Sequence, residues 1–320
     1  MSTPLRLGTL GCAEIARRRM LPAMAAGAGT EVRAVASRDL ATAEATAAPY
    51  GATAVRGYAE LLEREDVDAV YVPLPAALHA EWVERALLAG KHVLAEKPLT
   101  TELARTEELV ALAAERGLVL RENVMFVHHS QHTQVCELVR DGVIGQPHIL
   151  QATFTVPAFA EDDIRLRADL GGGALWDVGI YPVRAALHLL GEGLEVVGAH
   201  LANGPGREVD TAGAALLRTP EGVSAQLTFG MDHAYRNRYE FHGSRGTITV
   251  DRAFTPPADH VPVVRIETRD GVTERRLAPE DQVAATLAAF ARAVREQEPA
   301  DPSVRAQAAL LDAVRRSAGR

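Results

Sequence analysis

The order of elements along this chain changes character once, near Asn123, and that change constrains the fold more than any single motif. Before it, strand-like and helix-like stretches alternate. Residues 6–9, 31–37, 68–72, 92–95 and 118–120 read as strands. Residues 14–24, 39–49, 76–89 and 101–116 read as helices, with Asp39 as an N-cap and Gly90 and Gly117 as stops. Strictly alternating strands and helices require parallel pairing, because each strand must be re-entered from the same end.

After Asn123 the alternation stops. A helix over residues 131–140, a strand over 148–156 and a helix over 176–190 lead into short strand-like runs at 196–201, 212–217, 224–229, 239–242, 247–250 and 263–268. Short strands joined by Gly, Asp and Pro turns indicate an antiparallel sheet. Val283, Leu287, Phe290 and Val294, then Val304, Ala308 and Leu311, recur at helical spacing, and Asp301-Pro302 makes a good helix start. The expectation is an α/β Rossmann domain with a doubly wound parallel sheet over residues 1–123. An α+β domain with a large, mostly antiparallel open sheet follows over residues 124–301, and helix 302–320 packs back on the first domain.

Composition removes whole function classes. The net charge of -8 argues against general nucleic-acid or membrane-surface binding, both of which need basic surface. No apolar run approaches the ~20 residues of a membrane helix, and the N-terminus lacks a signal-peptide pattern. Two cysteines, Cys12 and Cys136, form no disulfide framework, so a reducing cytoplasm is expected. No metal-ligand pattern stands out. Lysine occurs only at Lys91 and Lys97 in an arginine-rich chain, which singles both out.

The first strand runs into the first helix through Gly8-Thr-Leu-Gly11-Cys12-Ala13-Glu14-Ile15-Ala16. As a G-x-G-x-x-G turn this is Gly11-x-Ala13-x-x-Ala16. Alanine in the third place still allows close helix–strand packing; alanine in the second narrows the approach of a pyrophosphate. Free N–H groups at the helix start suit an anion. About 20 residues on, an NAD site places a carboxylate. Here the strand ends Ser37-Arg38, and Asp39 fits a helix cap better. Arg38 is either a solvated charge or a partner for a 2′-phosphate, and NADP(H) is therefore expected as cofactor.

Glu96-Lys97-Pro98 follows the strand 92–95 directly, where ligands of open parallel sheets bind. Taken in order, Gly8 to Ala16, Pro73-Leu74-Pro75-x-x-x-His79, Glu96-Lys97-Pro98, Glu122-Asn123 and Gly171 through Trp176-Asp177 to Tyr181 resemble the glucose–fructose oxidoreductase and inositol dehydrogenase family (Gfo/Idh/MocA). The resemblance covers nearly the whole chain. It implies that Lys97 lies near the reacting carbon and that Asp177 and Tyr181, one helical turn apart, form the second domain's catalytic pair. It further implies cofactor contacts from Gly11, Cys12, Ala13, Glu14 and Ile15, from Ser37 and Arg38, from Pro73, Leu74 and His79, and from Glu96, Lys97, Pro98 and Asn123. Many members carry histidine where this chain has Tyr181; the tyrosine matches the sugar ketoreductase branch and favours a tyrosine proton donor.

Hydride transfer to a ketone leaves an alkoxide that must gain a proton. Tyr181 can supply it if a cation such as Lys97 lowers its ordinary pKa of about 10. Which of the two gives the proton is open at this level. The stretch from Ile164 to Gly171 resembles the loop of nucleoside-diphosphate-sugar 3-ketoreductases of deoxysugar pathways. Arg165 and Arg167 are there either diphosphate partners or a surface pair. Trp176 and Tyr235 are either substrate walls or packing residues. The expected activity is NADPH-dependent reduction of a 3-keto group on a TDP-linked deoxysugar of bacterial natural-product pathways, by a homodimer or homotetramer. The rivals are an NADP-dependent dehydrogenase of a free sugar, inositol or dihydrodiol, and a non-catalytic NADP-binding sensor.

Overall fold

The computed structural model describes residues 3–27 and 29–320, and the chain divides into two compact units. The first comprises the chain up to Val124 together with Val283–Arg305. Its elements are β1 (Leu5–Leu10), a π-helical turn (Ala16–Met20) that continues as α1 (Leu21–Ala26), β2 (Thr30–Ser37), α2 (Leu40–Ala47), β3 (Thr53–Arg56) and α3 (Tyr58–Leu62). β4 (Ala69–Val72), α4 (Ala76–Leu88), β5 (His92–Glu96), α5 (Leu103–Glu115) and β6 (Leu120–Asn123) follow. All strand pairs are parallel, in the order β3-β2-β1-β4-β5-β6. This is the doubly wound Rossmann order, whose crevice opens where β1 and β4 lead in opposite directions. Central strands are covered on both faces and read as continuous apolar runs; all four residues of β4 are buried.

The second unit comprises Met125–Gln282 and Ala306–Arg320. It contains α6 (Ser130–Arg140), β7 (Pro147–Thr155), a loop with 3-10 turns at Ile164–Leu166 and Ala168–Leu170, and a π-helical turn (Leu175–Gly179) continuing as α7 (Ile180–Leu190). Next come β8 (Glu195–Asn203), β9 (Asp210–Arg218), β10 (Ser224–Gly230), β11 (Arg236–Gly243), β12 (Gly246–Asp251), β13 (Val263–Thr268) and β14 (Gly271–Arg276). The eight strands order as β14-β13-β12-β11-β7-β10-β9-β8, antiparallel except for β7 with β10. Register separates the two faces. Leu217, Ala225, Leu150, Phe241, Ile248 and Ile266 lie side by side across the sheet, and all are buried. One residue along, Leu216, Gln226, Gln151, Glu240, Thr249 and Arg265 form the adjacent row, none of them buried. The period of two makes one face a core and leaves the other open.

The closing helices α8 (Gln282–Glu296) and α9 (Pro302–Ser317) depart from expectation. It is α8 and the start of α9 that join the first unit, where Ala291 lies against Gly29 and Val304 enters the Rossmann core. From Ala306 onward the chain belongs to the second unit, where Gln307 accepts a hydrogen bond from the buried Arg184. The apolar stripe of α9 is therefore divided between two cores. Its periodicity shows a buried face but not which core covers it.

Candidate active site

In the first unit the turn after β1 opens the site. Gly11 donates its N–H to the Ala36 carbonyl at 2.9 Å and has φ of +111°, a conformation that a side chain disfavours. A Cβ there would come within 3.0 Å of Leu74, which follows β4 across the switch point. Cys12, Ala13 and Ile15 are half-buried behind it, and Glu14 is exposed and paired with Arg18 at 2.6 Å. A regular helix cannot continue from this turn past Pro22, which lacks an N–H and crowds the carbonyl four residues back. The π turn Ala16–Met20 lies over that position and relieves the clash.

At the end of β2, Asp39 is the N-cap of α2: its carboxylate accepts the Thr42 N–H at 3.1 Å and the Thr42 hydroxyl at 2.6 Å. Hydrogen bonds to Thr42 hold its carboxyl below the ordinary value. Ser37 Oγ accepts the Asp39 N–H. Arg38 is exposed beside the Tyr58 phenol; burial pushes that phenol up and Arg38 pulls against it. Register also sets Arg56, at the end of β3, opposite Ser37. A second arginine thus accompanies Arg38. Sequence reading missed it because β3 itself went unrecognised.

The turn carrying Lys97 is held from three sides. Glu96 accepts the Tyr71 hydroxyl at 2.6 Å and the Asn123 amide at 2.7 Å. Glu122, the neighbour of Asn123 on β6, accepts the Leu99 N–H at 2.7 Å. His79 on α4 places its Nδ1 at 2.7 Å from the Pro98 carbonyl and its Nε2 at 2.7 Å from the Leu74 carbonyl. The Lys97–Pro98 peptide is cis. His79 is fully buried, which lowers its pKa, although two carbonyl partners favour the doubly protonated ring. Desolvation is the larger effect, and it holds the imidazole below the ordinary histidine value. His79 thus lies between the two turns and staples Leu74 to Pro98. Pro73 lies buried between β4 and that staple. Lys91, the other lysine, is also structural: its ammonium donates to the Arg64 and Val67 carbonyls.

These features fit a bound nicotinamide dinucleotide. The turn at Gly11 has a positive φ and would be crowded by a Cβ, the carboxylate expected of an NAD site is committed to a cap, and arginines stand at the ends of β2 and β3. Two buried polar atoms on this sheet, Thr9 Oγ1 and Asn123 Oδ1, have no partner in the protein. Among the described residues no group of three or more His, Cys, Asp or Glu is arranged to hold a metal.

In the second unit Asp177 lies in the π turn Leu175–Gly179 and Tyr181 opens α7. Pro182 explains that geometry as Pro22 did before: its ring would strike the Val178 carbonyl, and the wide turn moves it away. The Tyr181 ring is set by Phe126, Phe154 and Phe254, with centroids at 6.1, 4.9 and 5.9 Å. Gly179 lets the helix approach the sheet, since a Cβ there would meet Phe229 at 2.9 Å. Asp210, from β9, accepts the Leu175 N–H at 2.7 Å and caps the helix from outside it. Burial raises its pKa against that hydrogen bond. Nothing local in the sequence marks Asp210, because its partner is 35 residues away.

Arg165 and Arg167, read as diphosphate partners or a surface pair, both contact carboxylates. Arg167 pairs with exposed Asp169. Arg165 contacts Asp163 and Asp177 and covers the Phe159 ring. Trp176 is half-buried and lies against Gly173. Tyr235 is 44% exposed, its hydroxyl accepting from Asn237.

Residues 5–124 match the oxidoreductase family with an NAD-binding Rossmann fold, and residues 132–249 match the GFO/IDH/MocA C-terminal domain. The chain is 54% identical, over 99% of its length and 96% of the relative's, to dTDP-3,4-didehydro-2,6-dideoxy-alpha-D-glucose 3-reductase of Actinomadura kijaniata. The chain belongs to the GFO/IDH/MocA oxidoreductase family. The 3-reductase of the same name from Streptomyces violaceoruber is 56% identical, over 98% of this chain and 95% of the relative. Among solved structures, KijD10, a 3-ketoreductase from Actinomadura kijaniata in complex with NADP and TDP-benzene, superposes with a TM-score of 0.96 at 53% identity, covering 98% of each chain. Membership of GFO/IDH/MocA accounts for both sheets and their order in the chain. Among the described residues no helix is long and apolar enough to cross a membrane.

Proposed function

We propose that this GFO/IDH/MocA protein uses NADPH to reduce the 3-keto group of a TDP-linked 2,6-dideoxy sugar. The observation that carries the reading is the end-to-end similarity to 3-reductases acting on that sugar. The site supports it: a Rossmann turn with arginines where NAD enzymes place an acid, a clamped lysine, and tyrosine at the second place of the catalytic pair.

Bound NADPH supplies the hydride. The chain does the rest. Lys97, on its rigid turn, presents an ammonium to the substrate carbonyl and stabilises the oxyanion that forms. Tyr181 donates the proton that makes the alcohol. Asp177, one turn earlier, orients the sugar hydroxyl or the tyrosine. Arg38 and Arg56 hold the 2′-phosphate through charge-assisted hydrogen bonds. Gly11 through Ile15 cradle the pyrophosphate, and Asn123 Oδ1 accepts from the nicotinamide amide. Tyr235 and Trp176 offer aromatic surface to the nucleotide-sugar. The open face of the eight-stranded sheet pairs copies into a dimer or tetramer.

The test is NADPH consumption with the TDP-linked 3,4-diketo sugar as substrate, with the product's reduced carbon assigned by NMR. Turnover giving a carbon-3 alcohol is expected. Turnover restricted to unlinked polyols with NADP+, and no affinity for TDP, would establish a free-sugar dehydrogenase instead.

A further inference from the structure

The loop between β7 and α7 reaches the catalytic helix through one residue. Arg165 Nε lies 3.3 Å from Asp177 Oδ2, and its Nη1 lies 3.0 Å from Asp163 Oδ2. One guanidinium thus joins the carboxylate of the 3-10 turn to the carboxylate that precedes Tyr181. The planar fork of arginine suits this, since it can serve two carboxylates at once where an ammonium is a point charge.

The main chain fixes the same residue. The Arg165 carbonyl accepts the Gly173 N–H at 2.9 Å, and the Gly173 carbonyl accepts the Asp177 N–H at 3.0 Å. Arg165 is therefore bound to the start of the helix both through its backbone and through its side chain. The glycines are required for this closeness. A Cβ on Gly172 would sit 2.5 Å from the Arg165 carbonyl oxygen and 2.7 Å from that of Arg167. Asp163 caps its own turn by accepting the Arg165 N–H at 2.9 Å, and the Phe159 ring lies 4.6 Å beneath the guanidinium. A surface arginine waiting for a diphosphate has no such frame.

We propose that Arg165 is a positioning residue, which fixes the Asp177 carboxylate relative to Tyr181, and not a ligand of the substrate diphosphate. The proposal rests on the reductase reading above. It assigns the loop a place in catalysis: the segment from Phe159 to Gly173 sets the aim of Asp177, and Asp163 acts only through Arg165. The Asp163→Asn substitution keeps an oxygen to cap the turn and removes the charge that steadies the guanidinium.

The experiment measures kcat and KM for the TDP-keto sugar, and the dissociation constant of TDP, in wild type, Arg165→Ala, Arg165→Lys and Asp163→Asn. Misplaced catalytic groups cost up to about 100-fold in rate. The expected result is a kcat lowered about 10- to 100-fold in Arg165→Ala, with TDP affinity within about 2-fold of wild type and partial recovery of kcat by guanidinium ion in solution. Asp163→Asn should follow in the same direction with a smaller loss. Unchanged kcat with TDP binding weakened about 10-fold or more, the size of a lost charged hydrogen bond, would overturn the proposal and return Arg165 to the diphosphate. Loss of kcat without guanidinium rescue, together with a lowered melting temperature, would overturn it in favour of a purely structural tie. Failure of the reductase reading looks different: the wild type itself would not turn over the TDP-keto sugar, and both readings would fall together.

Discussion

The Asp210 carboxylate accepts the Leu175 N–H at 2.7 Å, so a residue of β9 caps the helix that carries Asp177 and Tyr181. Burial raises the Asp210 pKa, and the hydrogen bond opposes that rise without cancelling it. The folded state therefore binds this proton more tightly than the unfolded chain. The group favours folding at pH below the ordinary aspartate value, and that contribution is lost as pH rises through the raised folded value.

Asp210→Asn keeps an acceptor for Leu175 and removes the buried charge. Its melting temperature at neutral pH should equal or exceed that of wild type. Asp210→Ala leaves the helix uncapped and should lose about 1–2 kcal/mol in denaturant titrations.

Pro182 imposes the π turn that displays Asp177. Pro182→Ala lets the helix close into a regular α-helix and shifts Asp177 against Tyr181. Circular-dichroism melts should show unchanged or raised stability, because helix-interior proline is unfavourable, while kcat falls about 10- to 100-fold.

Arg38→Asp should invert the cofactor preference. A lost charge-assisted contact, with repulsion added, lowers NADPH affinity about 10-fold or more and leaves NADH binding equal or improved. Fluorescence titration with both nucleotides measures the ratio. Arg56→Ala should weaken NADPH in the same sense by a smaller factor.

Acid should unfold the second unit through its imidazoles. Burial holds His132 well below the ordinary histidine value, with His188 and His129 nearby adding to the effect. His132 Nδ1 lies 3.0 Å from the Tyr239 hydroxyl and its Nε2 faces Gln131. His129 is lowered by burial too, against the pull of Glu280, with His260 also near. The neutral rings are favoured in the fold, so their stabilisation is complete above the ordinary histidine value of about 6.5 and is lost as pH falls through the depressed folded values. Melting temperature should drop as pH falls below about 6, and the curve should flatten in His132→Gln.

Much of this was legible in the sequence, and the exceptions have physical causes. Both sheets announce themselves through alternation and through period-two burial. β3 escaped because an edge strand of Thr53–Arg56 buries only Val55; pairing with β2 makes it a strand. β14 has no buried residue at all, so no period-two signal existed to read. β6 was expected to end at Leu120, yet it continues through polar Arg121, Glu122 and Asn123, because two of these grip the Lys97 turn. His79 sits in a family motif and serves as a staple. Arg165, read as either a diphosphate partner or half of a surface pair, contacts Asp177, and a pairing across a loop leaves no periodic trace.

The central claim is tested most directly by NADPH consumption with the TDP-linked diketo sugar in wild type, Lys97→Ala, Tyr181→Phe and the double variant. The account predicts rapid oxidation of NADPH by the wild type and a loss of at least about 100-fold in the double variant, with NADPH still bound. Turnover by the double variant at the wild-type rate would contradict it.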